Sequence, residues 1–189
     1  MSHKFAGFLP RLAAFLLDYL VIAAYIILLI LITALLFNLG LQSVATAIGG
    51  NPYLYDLFAF LALVLPVILY FTLIECSPQQ ATWGKRKLNL SVIAMNGKRL
   101  SWGQALIRSG FKFLPWQIAH TSIFHIPGWP LYVQEVPMGS IVGFTLVWIL
   151  VGLYLVTILF TKVHRTPYDW LSQTAVIVNS DIHHVPNLR

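Results

Sequence analysis

Charge is scarce in this 189-residue chain and cysteine nearly absent: 10% of residues are Asp, Glu, Lys or Arg, only six are acidic, and Cys76 stands alone. A single cysteine excludes an internal disulfide and any multi-cysteine metal centre, and at the end of an apolar segment it reads as a small packing residue rather than a redox group. The signatures of common catalytic sites are missing as well. Gly139-Ser140 lacks the Gly-x-Ser-x-Gly elbow, and there is no Walker loop and no His-Glu-x-x-His helix. An enzyme is therefore the least favoured class, and no cofactor or bound metal is expected. What fills the chain instead is apolar: 58% hydrophobic residues and a mean hydropathy of +0.78, beyond what a soluble globular domain tolerates. The net charge of +6 does not point to nucleic acid, because the basic residues collect beside apolar segments without interleaved aromatics. They read as topology signals and as contacts to anionic lipid headgroups, so the bilayer is the expected partner.

Three apolar runs are long enough to cross a hydrocarbon core of about 30 Å, at about 12–37, 53–75 (with Pro66 inside it) and 139–161. The first is too long for the apolar core of a signal peptide and contains Asp18, so it is expected to remain in the mature chain. Loop charges decide the rest. Lys4 and Arg11 precede the first run, the segment 38–56 has no Lys or Arg, 77–112 holds seven, 127–138 again has none, and Lys162 and Arg165 follow the last run. The positive-inside rule then requires a further crossing at about 103–126, amphipathic through Arg108 and Lys112 and bent at Pro115. A re-entrant 113–126 segment would instead leave Lys162 and Arg165 outside. The expected fold is an all-α membrane protein of four transmembrane helices, with both termini cytoplasmic, in an inner or plasma membrane. Within the basic loop, Leu88 to Ala94, the Asn96-Gly97 turn and Lys98 to Ser101 read as a hairpin over about 88–101, to which Ala175 to Val178 could add a third strand. No repeat is evident, so 1–180 reads as one membrane domain followed by a polar tail, 181–189.

Asp18 is the outlier in the first helix. A carboxylate at bilayer depth costs several kcal/mol unless it is paired, hydrated or protonated, which makes it a functional candidate by default. Arg11 lies two turns upstream, roughly 10 Å along the helix. Asp169, beyond the last span, could cap a short helix beginning near Trp170, or pair with Arg11 at the membrane boundary. Pairing would leave Asp18 for another cation, a proton or an ion. Arg108 and Lys112, one turn apart, are candidate partners or headgroup-seeking side chains. Glu75, at the end of the second span, could form a carboxylate pair with Asp18 of the kind a proton relay uses. His120 and His125 diverge by roughly 140° on one helix, so they do not share a metal and read as secondary polar residues that bond a neighbouring helix or carry a proton.

Three motifs bear a family resemblance. Ala6-Gly7-Phe8-Leu9-Pro10-Arg11 running to Asp18 resembles the opening of the RDD family, named for one arginine and two aspartates. Thr82-Trp83-Gly84-Lys85-Arg86 is similar to its second signature, and Arg165-Thr166-Pro167-Tyr168-Asp169 to its last. Tyr168 stands where many members have a histidine, with His164 four residues earlier. The resemblance implies a small polytopic membrane protein in which cation or proton transport has been suggested for some members and a scaffold or assembly role for others. The expectation is thus a cation or proton transporter or sensor built on Asp18, Arg11, Asp169, Glu75, Arg108 and Lys112. Its alternative is a non-transporting scaffold whose basic loop binds a partner protein or anionic lipid. Four helices barely enclose a path, so a homo-oligomer or a partner membrane protein is expected.

Overall fold

A computed structural model describes residues 4–43, 50–129 and 132–179; the tail 181–189 lies outside them. The elements are β1 (Lys4–Phe5), α1 (Phe8–Asn38), α2 (Pro52–Ala59), a π-helical turn (Phe60–Val64), α3 (Leu65–Glu75), α4 (Trp83–Lys87), β2 (Leu90–Ala94), α5 (Trp102–Phe124), α6 (Met138–Phe160), α7 (Pro167–Leu171) and β3 (Thr174–Val178). Among the described residues three helices are long and apolar enough to cross a membrane: α1, the continuous stretch Pro52–Glu75, and α6. Their outer faces carry exposed Leu, Ile and Val, as in Leu28, Leu31, Leu61 and Ile149, which suits a lipid surround rather than water. The fourth expected span exists as a helix of nearly the expected bounds, α5, but its basic and polar residues leave it outside that apolar class. It is the central helix, packed against α2, α3, α6 and α7, while α1 packs on α4.

Two prolines interrupt the backbone ladders, and both are compensated in the same way. Pro66 cannot donate to the carbonyl of Ala62 four residues back. The helix widens just before it, where Leu65 reaches Phe60 in a π-helical turn, and the Ala62 carbonyl accepts the Tyr25 hydroxyl from α1 at 2.6 Å. Pro115 likewise frees the carbonyl of Phe111, which accepts the Tyr154 hydroxyl from α6, also at 2.6 Å. With no water available in hydrocarbon, a neighbouring helix must supply the missing donor. The helix therefore continues unbroken through Pro115 to Phe124.

The sheet differs from the expected hairpin. Its order is β1-β3-β2, with both pairings antiparallel, Lys4 to Phe5 against Ile177 to Val178 and Leu90 to Ala94 against Thr174 to Val178. The Asn96-Gly97 turn forms, with Gly97 at φ +77°, and Lys98 accepts one bond from the Ala94 amide. The returning segment then leaves the sheet because Ser101 and Gln104 form the reciprocal cap that starts α5. β3, whose Ala175, Val176 and Ile177 are buried, pairs with the other edge of β2, where Met95 donates to the Gln173 carbonyl and Asn179 to the Asn89 carbonyl, while the edge facing Lys98 takes Gln80, whose carbonyl accepts the Val92 amide at 2.7 Å. Ala6, Ala14, Leu90, Val92, Leu100, Ala105 and Val176 form the core under the sheet, and Ile22, Val64, Val67, Ile68, Phe71 and Phe113 form the core between α1, α3 and α5.

Candidate functional site: a buried charge network at the sheet end of the bundle

Asp18 is fully buried, and its partners come from a short helix rather than from a cation. Its Oδ2 accepts the Thr82 hydroxyl at 2.5 Å and its Oδ1 accepts the Gly84 amide at 2.7 Å. Thr82 is the residue preceding α4, so Asp18 satisfies amide and hydroxyl donors at the start of that helix, where negative charge is favourable. Gly84 permits the approach: a Cβ there would lie 2.1 Å from the Ala14 carbonyl oxygen on α1. The expected pairing of Asp18 with Glu75 is not direct. Thr82 and Lys85 stand between the two carboxylates, since Lys85 Nζ donates both to Thr82 Oγ1 at 3.3 Å and to Glu75 Oε1 at 2.7 Å.

Glu75 is also fully buried and accepts from Arg108 at 3.2 and 2.9 Å through both of its oxygens. Arg108, 2% exposed, turns its other terminal nitrogen to Asp169 Oδ1 at 2.9 Å. Asp169 Oδ2 in turn accepts Arg11 at 2.5 Å, the Thr166 hydroxyl at 2.9 Å and the Thr166 amide at 3.1 Å. Of the two roles expected for Asp169, the pairing with Arg11 forms; the cap is corrected, because the helix begins at Pro167 with Thr166 as its cap and Asp169 is its third residue, bonding back to Thr166. Arg11 also donates to the His164 carbonyl. Burial by itself would raise the Asp169 carboxyl, but Arg11 and Arg108, with the Thr166 amide, hold it well below the usual carboxylate range.

One connected network therefore runs Asp18, Thr82, Lys85, Glu75, Arg108, Asp169, Arg11, and it ties α1, α3, α4, α5 and α7 at one end of the bundle. Lys112, placed in the expected cluster, makes no ion pair among the described residues. Its Nζ lies over the rings of Phe71, Phe15 and Phe113, at 3.7, 4.9 and 5.1 Å from their centroids. Three carboxylates thus face four basic side chains, Arg11, Lys85, Arg108 and Lys112. Thr82, Gly84 and Lys85 were not assigned roles in the sequence, although a Thr just before a short basic run is a legible helix-start signal.

The expected secondary residues lie at the opposite end of α5. His125 Nδ1 donates to the Thr121 carbonyl of its own helix at 2.8 Å, and its ring meets Tyr53 edge-on. His120 stacks on Phe124, and among the described residues its Nδ1 has no hydrogen-bond partner. Among the described residues neither ring makes a hydrogen bond to a neighbouring helix; both lie against aromatic side chains. The contact between helices is made instead by Asp56 on α2, which accepts Thr121 Oγ1 at 3.0 Å and Gln117 Nε2 at 3.2 Å. Among the described residues no cluster of three His, Cys, Asp or Glu could hold a metal ion.

The arginine and both aspartates of the three motifs are therefore tied into one charge network, and comparison with protein families matches residues 5–173 to the RDD family. The chain belongs to the RDD family. It is also similar to the uncharacterized protein YxaI of Bacillus subtilis (strain 168), 34% identical over 120 residues, which cover 56% of this chain and 74% of the relative. No solved structure matches it. With its apolar helices, this RDD-family chain is a multi-pass membrane protein.

Proposed function

We propose that this RDD-family protein is a non-transporting scaffold of the cell membrane, with α5 as a fourth span and both termini on the cytoplasmic side, where its basic loop meets a partner protein or anionic lipid. The observation that carries this reading is the occupation of the buried carboxylates. Both oxygens of Asp18 and Glu75 accept hydrogen bonds from the chain itself, and Asp169 accepts at Oδ2 while its Oδ1 lies 2.9 Å from Arg108, so each carboxylate in the network is met by donors or cations of the chain. Such a network joins elements; removing one partner of a buried pair leaves an uncompensated charge at a cost of about 3–5 kcal/mol. The loop also supports the reading, since Arg86, Lys87, Lys98 and Arg99 are exposed on the sheet end, the pattern that draws an acidic or anionic surface. For α5, 23 residues at about 1.5 Å each give roughly 34 Å, enough to span.

A cation or proton path is the competing reading, and the separation of its groups weakens it. His120 lies eight residues from Lys112, about 12 Å along α5. The space between is an apolar cavity of about 70 Å³ lined by residues such as Ile22, Ile26, Val64 and Val67. Flux of sodium, potassium and protons in proteoliposomes tests the assignment. Flux equal to that of protein-free vesicles is expected; flux above it that disappears in Asp18→Asn would establish transport and overturn the scaffold reading.

A further inference from the structure

A second, larger cavity lies between α1 and α6, which make little direct contact with each other, and α5 forms its floor. Its volume is about 260 Å³, well above the ~10–15 Å³ that one water needs. Two features of its lining stand together. At the sheet end it is lined by Arg11, Lys85, Arg108 and Lys112, with no carboxylate among the lining residues. Further along it is apolar, with Leu12 and Phe15 from α1, Trp116 from α5, and Val151, Leu155 and Ile158 from α6. Leu12, Trp116 and Leu155 are each about 40% exposed, so the apolar walls open sideways toward the surroundings of the bundle. Val151 lies nine residues from Phe160 at the sheet end of α6, which carries the apolar part roughly 14 Å into the membrane.

The basic part has unused capacity. Arg108 spends its terminal nitrogens on Glu75 and Asp169, yet its buried Nε has no hydrogen-bond partner among the described residues. Lys112, one turn further along the same face, makes no ion pair among the described residues and holds its ammonium over phenyl rings. A buried surplus of positive charge is costly unless an anion compensates it. An anion that also brings an apolar tail matches both halves of the cavity at once.

We infer that this cleft is a binding site for one anionic glycerophospholipid, with its phosphate oxygens between Lys112 Nζ and Arg108 Nε and an acyl chain along the groove between α1 and α6. The occupant comes from the bilayer, since the groove opens laterally and its apolar length would be wasted on a free phosphate ion. The site is separate from the exposed basic loop, and it does not depend on whether the protein transports or scaffolds.

Native mass spectrometry of the purified full chain, titrated with phosphatidylglycerol, phosphatidylcholine or inorganic phosphate, tests the assignment. Phosphatidylglycerol is expected to bind once per chain, on the order of tenfold or more tighter than phosphatidylcholine, given about 1 kcal/mol per basic group near a headgroup. Lys112→Gln should weaken it about fivefold on the same scale, while Lys112→Arg retains it. Leu155→Trp, on an exposed wall remote from the charge network, should weaken the lipid with the basic groups intact; it serves as the decisive variant if Lys112→Gln does not fold. Equal binding of the two lipids, wild-type lipid binding by Leu155→Trp, or displacement of the lipid by equimolar inorganic phosphate would each overturn the site.

Discussion

Tyr154→Phe removes one oxygen and leaves the ring, so its edge-on contact with Tyr168, at 5.2 Å between centroids, is preserved. The lost hydroxyl is the donor to the Phe111 carbonyl at 2.6 Å, a carbonyl that Pro115 cannot serve. The bond lies on an exposed face of the bundle, where lipid offers no replacement donor, and a carbonyl left unsatisfied away from water costs about 1–3 kcal/mol. Hydrogen bonds within membrane proteins average nearer 0.6 and reach about 1.7 kcal/mol, because the unfolded chain in the membrane also finds partners. The expected cost of Tyr154→Phe is therefore about 1 to 1.5 kcal/mol, toward the upper part of that range because the acceptor has no helical donor. In a Pro115→Ala background the residue 115 amide returns to the Phe111 carbonyl, and the same substitution should cost only about 0.3 kcal/mol, giving a coupling near 1 kcal/mol. Reversible unfolding in mixed micelles measures all four corners of the cycle. The Tyr25, Ala62 and Pro66 group provides an independent repeat with Tyr25→Phe and Pro66→Ala. Equal costs of Tyr154→Phe in both backgrounds would refute the idea that the tyrosine stands in for the proline's missing donor.

Two further predictions concern the network. Gly84→Ala sets a Cβ against the α1 backbone, and overpacking of this kind costs about 1–3 kcal/mol; since the shift also breaks the Gly84 amide bond to Asp18, adding Asp18→Ala should then cost much less than it does alone. Unfolding measurements on the two single variants and the double decide this, and strict additivity would contradict the coupling of α4 to Asp18. The depressed acidity of Asp169 sets a pH dependence. Its stabilising contribution is fully present above the unfolded value of about 3.9 and is lost only as the pH falls through the still lower folded value. The stability difference between wild type and Asp169→Asn should therefore be constant from pH 8 to 5 in thermal unfolding, and a decline within that window would show that Asp169 is not held by Arg11 and Arg108.

The apolar helices were legible in the sequence because hydropathy is a local property: about twenty apolar residues in a row specify a span wherever they occur. The start of α5 near Trp102 and the strand at Ala175 to Val178 were also readable, the first from the loop charges and the second from β-prone composition. Arg11 and Asp169, separated by 158 positions, could be matched only because both lie at a span boundary, where the choice of partners is small.

What the tertiary structure decided was which long-range pairs form. Asp18 looked like an uncompensated charge because its partners, Thr82 and Gly84, lie 64 and 66 positions away in a loop with no apolar pattern. The hairpin reading failed for the same kind of reason: local turn chemistry placed Gly97 correctly, but the returning segment ends in the Ser101–Gln104 cap of α5, and the edge of β2 it would have paired with is met by Gln80, twelve positions before Val92. The prolines announced breaks, and only the position of Tyr25 and Tyr154 on neighbouring helices turned those breaks into continuous spans. Composition and hydropathy thus determined that this chain lives in a membrane and roughly where it crosses. The compensation of its buried charges and freed carbonyls depended on distant side chains brought together by folding, and this is information that no local window of sequence contains.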